Sequence, residues 1–350
     1  MSDYSVSKIY ASDKRANAAV EKLLTSEGIR RDKNLDYTCA IYDGDDNVIA
    51  TGSCFGNTLR CMAVSHEHQG EGLMNEIVSH LIQYENERKI FHLFLYTKCS
   101  SAKFFGDLGF YEIVKIKDQV VFMENRRTGF QDYLNELSKN KPSGENIAAV
   151  VLNANPFTLG HQYLIEKAAG ENDYVHVFIV SEDASLIPFE VRKKLIVEGT
   201  SHLKNLVYHD TGPYIISSAT FPSYFQKDEA AVIESHANLD LSIFVKIAGT
   251  LGINARYVGE EPKSLVTGIY NKIMAGKLPE YNIKCVIVPR KTEGNSTEII
   301  SASNVRQAIK DGNIAKLKEL VPESTYAFFT SPDAENIIGK IKRSANVIHY

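Results

Sequence analysis

From residue 147 to residue 290, short apolar runs alternate with stretches whose apolar positions recur every three or four residues. The runs IAAVVLN (147–153), YVHVFIV (174–180), LVYH (206–209), ARYV (255–258) and IKCVIVP (283–289) read as strands. Most are apolar without alternation, which marks a parallel sheet covered on both faces. Helices are expected between and after them, from about Gly160, Pro188, Leu241, Lys263 and Ser303. Strand–helix alternation of this kind predicts a doubly wound, Rossmann-like α/β sheet. Its ligand crevice lies beyond the carboxyl ends of the strands.

The first third has a different rhythm. CAIYDGDDNVIATGSCFGNTLRCMAVS (39–65) reads as three strands, with turns at Gly44 to Asn47 and at Gly56-Asn57. From Gly72 to about Asn86 the apolar residues Leu73, Ile77, Leu81 and Tyr84 fall at helical spacing. FHLFLYTK (91–98) reads as a buried strand, and a short helix and a last strand near Gln119–Glu124 follow. Tyr84, Phe91, Phe94, Phe104 and Phe105 are expected in the core. GFQDYLNELSKN (129–140) is an amphipathic connector, with Phe130, Tyr133, Leu134 and Leu137 on one face, and Pro142, Ser143 and Gly144 break it. The expected organisation is a mixed α/β domain over 1–125, a connector helix and linker over 126–145, the parallel-sheet domain over 146–330 and a helical tail over 331–350.

Composition narrows the field. With 350 residues, two domains are the natural expectation. A formal net charge of -4 argues against a general nucleic-acid binder, which needs a basic face. The five cysteines include no CxxC pair and suit free thiols in a reducing cytoplasm. The start MSDYSVSKIYASDKR has no apolar h-region, and no apolar run approaches the roughly 18 to 20 residues that span a bilayer. The expectation is a cytoplasmic protein with no membrane partner. His66 and His68, with Cys61 nearby, fall short of the four ligands of a structural zinc site, so no metal site is expected.

The strongest chemical signal follows the first strand of the parallel sheet: Asn153-Ala-Asn155-Pro156-Phe157-Thr158-Leu159-Gly160-His161, then a helix. Amides at a helix start lack partners and the helix dipole adds partial positive charge, so anions bind there. Gly160 admits close approach of backbone to ligand. Thr158 and His161 can donate to phosphate oxygens, and His161 can add charge by protonating near neutral pH. The alternative is an ordinary turn with Thr158 as N-cap. A second segment, Ile300-Ser301-Ala302-Ser303-Asn304-Val305-Arg306, follows the last strand. Here Ser303 is expected to cap a helix, with Ser301 and Arg306 facing an anion. Arginine suits phosphate because its planar fork makes two bonds at once. The alternative is a plain serine cap. The fold places both segments at one sheet edge.

Together these segments resemble the nucleotidyltransferase superfamily with an (H/T)xGH motif and a later ISSTxxR motif. Thr158-Leu159-Gly160-His161 matches the first. Ser301 to Arg306 matches the second, with Ser303 in place of its Thr. The resemblance implies that Thr158, His161 and Arg306 serve in-line displacement at the α-phosphate of ATP, with Mg²⁺, and that no protein nucleophile is needed.

SSATFPSYF (217–225), RYVGEEPKSLVTGIYNKIM (256–274) and VPRKTEGNSTEIISASNVR (288–306) are similar to the citrate lyase ligase family, over essentially the whole chain. That resemblance implies an acetate:thiol ligase. ATP and acetate give acetyl-adenylate and pyrophosphate. The thiol of the CoA-like group on the citrate lyase acyl carrier subunit then takes the acetyl group and releases AMP. By the same route Gly259, Glu260 and Glu261 could contact nucleotide or Mg²⁺, Arg192 and Arg290 could reach triphosphate, and Ser217, Ser218 and Thr220 could shape the acetate pocket. Two rival readings stand beside it: a plain nucleotidyltransferase adenylating a phosphopantetheine- or mononucleotide-like acceptor, and an ATP-sensing regulatory protein.

In the first domain, His66-Glu67-His68-Gln69-Gly70-Glu71-Gly72 resembles the pyrophosphate loop of GCN5-related N-acetyltransferases, (R/Q)xxGx(G/A), and AKFFGDLGFYE (102–112) resembles that family's closing helix and strand. Glu67 stands where the family usually has Arg or Gln, and an acid opposes an anionic ligand. Backbone donors from Gln69 through Gly70 to Gly72 could still cradle a pyrophosphate and hold the carrier's CoA-like arm. The alternative is a structural domain.

Overall fold

The computed structural model describes residues 4–139, 141–182, 185–215, 221, 229–260, 265–290 and 299–345. The chain divides into two compact units, Met1–Asp132 with Phe221–Leu239, and Tyr133–Thr220 with Asp240–Tyr350. In chain order the elements before the linker are β1 (Val6–Lys8), α1 (Lys14–Ser26), β2 (Tyr37–Tyr42), β3 (Val48–Phe55), β4 (Thr58–Val64), α2 (Leu73–Glu87), β5 (Phe94–Thr97), α3 (Ala102–Asp107), β6 (Tyr111–Ile116), β7 (Val120–Glu124) and α4 (Gly129–Ser138). Then follow β8 (Ile147–Leu152), α5 (Leu159–Glu171), β9 (Tyr174–Ile179), α6 (Phe189–Gly199), β10 (Leu206–Asp210), α7 (Glu229–Leu251), β11 (Ala255–Gly259), α8 (Leu265–Lys277), β12 (Lys284–Val288), α9 (Ala302–Asp311), α10 (Ile314–Leu320), α11 (Glu323–Phe329) and α12 (Glu335–Arg343). No helix among the described residues is long and apolar enough to cross a membrane.

The first unit is a seven-stranded mixed sheet in the order β1-β2-β3-β4-β5-β7-β6. The β2–β3 turn forms because the Asp43 carboxylate accepts the amides of Asp45 and Asn47, at 2.9 and 2.8 Å. One face buries Leu59, Leu95 and Met123 against Leu73, Ile77 and Leu81 of α2. Another cluster joins Ala40, Val48 and Ala63 to Val20, Leu23 and Leu24 of α1. The parallel pair β4–β5 is joined only at Thr58–Phe94 and Leu59–Leu95. Beyond it β4 turns away: the β3–β4 register shifts between Thr51 and Ser53, and Cys61 has φ 50°, a left-handed conformation. Two expectations about the aromatic residues change. Phe91 is 59% exposed, which is why the strand begins only at Phe94, and Phe104 is 38% exposed.

The second unit is a five-stranded sheet, parallel throughout, in the order β10-β9-β8-β11-β12. The order reverses at β8, so the carboxyl ends of β8 and β11 flank the switch point. One face packs Val150, Leu152, Val177 and Ile179 with Leu164 and Ile165 of α5 and Leu195 and Ile196 of α6. Strand alternation sends Ala149, His176 and Arg256 to the other face. There Arg256 pairs with Asp240 at 3.3 Å and lies 4.2 Å from the Phe244 ring centroid. α7 starts at Glu229, well before the expected Leu241. α12 turns Ile337 and Ile341 into a core with Val305, Ile309 and Leu317.

His176 Nδ1 and His209 Nε2 lie 2.8 Å apart, and burial pushes each imidazole down to about 4. The unfolded chain binds protons at these groups below about 6.5, whereas the fold resists them down to about 4. Their contribution is therefore complete above pH ~6.5 and is lost as pH falls through about 4. The unfolding free energy of the protein should fall between those pH values, by at most ~1.4 kcal/mol per pH unit for each imidazole. Denaturant titrations across that range, repeated on the His176→Gln/His209→Gln double variant, check this. An unchanged slope in the variant would count against it.

Candidate functional site

β8 ends at Leu152, and the chain then turns through Asn153 to Thr158 before α5 begins. Ala154 holds the turn with φ 49°, a left-handed conformation unusual for alanine. Thr158 is the N-cap of α5. Its hydroxyl accepts the His161 amide at 3.3 Å, and the Thr158 amide donates to His161 Nδ1 at 3.1 Å. This reciprocal box makes Nδ1 an acceptor, so the neutral ring carries its proton on Nε2. The half-buried imidazole does not charge near neutral pH, contrary to expectation. Burial, and then the Arg290 guanidinium, push it down to about 4. His161 is thus a neutral N–H donor at the amino end of a 13-residue helix.

The segment Ile300 to Arg306 lies against this turn. A Cβ on Gly160 would meet the Ile300 carbonyl oxygen at 3.3 Å, so glycine here lets the two segments approach. Arg306 is buried; it donates to the Asn155 carbonyl and, at 3.3 Å, to Ser303 Oγ. Burial pushes its guanidinium down to about 10, still charged at neutral pH. Ser301, not Ser303, caps α9: its hydroxyl accepts the Asn304 amide at 3.1 Å. The structure therefore brings Asn155, Thr158, Gly160, His161, Ser301, Ser303 and Arg306 together across 140 residues of sequence.

Other expected residues fare differently. Arg290 follows β12; its Nε donates to the Glu260 carbonyl at 2.6 Å, and its charge acts on His161. Glu260 is exposed, and its amide donates to the Val288 carbonyl at 2.8 Å. Gly259 accepts from Asn271 Nδ2 at 3.0 Å. Asn153 bonds Ser185 Oγ at 3.0 Å. Pro156 and Phe157 are buried behind the turn; a Cβ on Gly199 would come within 2.6 Å of the Phe157 ring. Phe157 backs the His161 ring, with planes 13° apart, instead of facing solvent.

Arg192 also departs from expectation. It is 0% exposed, and its guanidinium donates to four carbonyls: Ile187 (3.0 Å), Asn153 (2.8 Å), Val180 (2.8 Å) and Glu182 (2.6 Å). It ties the loop after β8 to the loop after β9 and has no face left for a triphosphate. Glu261, Ser217, Ser218 and Thr220 lie outside the described residues.

The first unit holds a cavity of about 680 Å³ where β4 and β5 part. Gln69, Gly70 and Gly72 line it, as do Met62, Ala63 and Val64 of β4 and Tyr96 and Thr97 of β5. Gly70 (φ 93°) and Gly72 (φ 82°) are left-handed, and α2 begins at Gly72 without a side-chain cap. Its first amides are thereby left for a ligand. Glu67 is exposed and is not among the residues that line the cavity; Glu27 does line it, and its carboxylate accepts the His66 amide at 3.0 Å. Lys98, Ser100 and Ser101 also line the cavity, and the sequence reading missed them. Their signal was the polar turn TKCSS between an apolar strand and the AKFFGDLGFYE helix.

Comparison with known proteins identifies the family. Residues 147–329 match the family model described as the citrate lyase ligase C-terminal domain. The [citrate [pro-3S]-lyase] ligase of Haemophilus influenzae is 36% identical over 90% of this chain and 95% of its own length. That of Escherichia coli is 34% identical over 91% of each chain. Among solved structures, a GNAT-family acetyltransferase from Staphylococcus aureus covers 35% of this chain and 99% of its own, with 14% identity and a TM-score of 0.30. The family match over the second unit's whole sheet, and the two relatives aligned nearly end to end, establish that the chain belongs to the citrate lyase ligase family of enzymes.

Proposed function

We propose that the second unit joins acetate to ATP and that the first unit's cavity holds the CoA-like arm of the citrate lyase acyl carrier subunit. A carboxylate oxygen of acetate attacks the α-phosphorus. The bond to the β-phosphate bridging oxygen breaks, giving acetyl-adenylate and pyrophosphate. The thiolate sulfur then attacks the acetyl carbon, AMP leaves, and the thiol's proton passes to solvent. The observation that carries this reading is the meeting of the α5 and α9 amino ends, with Gly160 against Ile300 and Arg306 on Asn155.

In this scheme His161 Nε2 and the first amides of α5 donate to the α-phosphate, where charge shifts during in-line displacement. The cap of α9, with Ser301, Ser303 and Arg306, receives the pyrophosphate. Arg290 adds positive charge at the rim. Mg²⁺ would enter on the triphosphate, and Glu260, an exposed carboxylate beyond β11, supplies the hard oxygen that suits it. Among the described residues no cluster of His, Cys, Asp and Glu is arranged to hold a metal ion by itself. All five cysteines are free thiols, which fits a reducing cytoplasm.

Exchange of label between pyrophosphate and ATP tests the reading. It should require acetate and no thiol. Exchange that needs a phosphate-bearing acceptor instead would favour an adenylyltransferase, and absence of exchange would leave only an ATP sensor.

A further inference from the structure

Residues Phe221–Leu239 belong to the first unit although the rest of that unit ends at Asp132. Ser235, His236 and Asn238 are all buried, at 2%, 4% and 4% exposure. Ser235 Oγ and Asn238 Nδ2 both donate to Gln119 Oε1, at 3.3 and 3.4 Å, beside β7. Phe221 stacks on the His236 ring at 4.3 Å and meets the Tyr96 ring edge-on at 5.5 Å. Tyr96 in turn stacks on Phe122 at 4.4 Å and lines the cavity between β4 and β5.

Burying polar side chains costs free energy unless each finds a partner, so a segment that only filled space would be better built from apolar residues. Here the polar groups pin this part of α7 to Gln119, and Phe221, stacked on His236, meets the ring of Tyr96, a cavity-lining residue, edge-on. Aromatic pairs have preferred geometries, so the stack defines where the Tyr96 ring sits and not merely that it is buried.

We propose that Phe221 and His236 are positioning residues for the thiol-bearing arm, acting through Tyr96. They hold the Tyr96 ring against the cavity so that a bound arm has one seat and its thiol one location. The proposal rests on the reading that this cavity takes the arm. It adds a set of residues, distant in sequence from the glycine-rich loop, that governs the acceptor step and not the formation of acetyl-adenylate.

Two reactions of the full-length protein separate these steps: acetate-dependent pyrophosphate–ATP exchange, and acetyl transfer to dephospho-CoA as the thiol probe. For His236→Ala, exchange should match the parent protein, while KM for dephospho-CoA rises about tenfold. The maximal transfer rate should change much less. His236→Phe keeps an aromatic partner for Phe221 and should restore most of the KM. An unchanged KM in His236→Ala, or exchange and transfer falling in proportion, would overturn the proposal. Should His236→Ala fail to fold, Gln119→Ala releases the same segment without touching a cavity-lining side chain. A raised KM there supports the proposal and an unchanged one defeats it. Met74→Trp, which narrows the cavity, guards the parent reading. If it leaves KM unaltered, the cavity does not hold the arm. If it raises KM while His236→Ala and Gln119→Ala do not, only the positioning role falls.

Discussion

His161→Ala should lower acetate-dependent pyrophosphate–ATP exchange by about 10²–10³-fold, the usual cost of removing one donor aimed at developing charge. The geometry separates this loss from misfolding. The alanine variant forfeits the Nδ1 half of the capping box with Thr158, while Thr158 Oγ1 still accepts the residue 161 amide. That change costs about 0.5–2 kcal/mol of stability, enough to shift a melting curve but not to unfold the unit. His161→Asn should fall between parent and alanine, because its amide can accept from Thr158 and donate outward. The pH profile carries a second expectation. Burial and the Arg290 charge hold the imidazole near 4, so His161 is neutral throughout pH 5 to 8. The ratio of parent to His161→Ala rates should therefore stay level over that interval. A ratio that turned over near the ordinary histidine value would mean that His161 acts as a charged group, and a loss under fivefold would remove it from the chemistry.

The second sheet was legible because its inner strands β8 and β9 are covered on both faces: IAAVVLN and YVHVFIV carry no exposed position to blur the pattern. Once the sheet is drawn, topology alone places Thr158 and Arg306 at the same edge. The glycine at 160 was legible too, though its observed neighbour is the Ile300 carbonyl. What the sequence could not separate is a cation serving a ligand from one serving the chain. Arg192 lies in the first turn of α6, the helix that follows β9, in either case, and only the four carbonyls around it decide. The cap of α9 moved by two residues because Ser301 and Ser303 are equally good capping types. The cavity of the first unit depends on a register shift at β3 and a left-handed Cys61, neither of which has a sequence signature. Membership of Phe221–Leu239 in that unit rests on non-local contacts to Tyr96 and Gln119, which no periodicity reports.

Arg192→Ala should cost about 3–5 kcal/mol of unfolding free energy, measured by denaturant titration, and most of the exchange activity with it. The fully buried guanidinium donates to four carbonyl oxygens, those of Ile187 and Val180 in the interior and those of Asn153 and Glu182 nearer the surface. Removing it takes a charged donor from all four acceptors and opens a void the size of the arginine side chain. Two of the carbonyls, Asn153 and Glu182, belong to loops at the carboxyl edge of the sheet. With the tie gone, the turn carrying Ala154 in its left-handed conformation has less to hold it, and relaxation there shifts Thr158 and His161. Arg192→Lys discriminates between a buried tie and a phosphate ligand. A lysine has three donors on one nitrogen and cannot span carbonyls on opposite sides of a planar fork, so stability should fall nearly as far as for alanine. A phosphate-binding role predicts the reverse pattern: stability near that of the parent for both variants, a raised KM for ATP, and partial rescue by lysine. Parent-like stability in Arg192→Lys would therefore return this residue to the nucleotide.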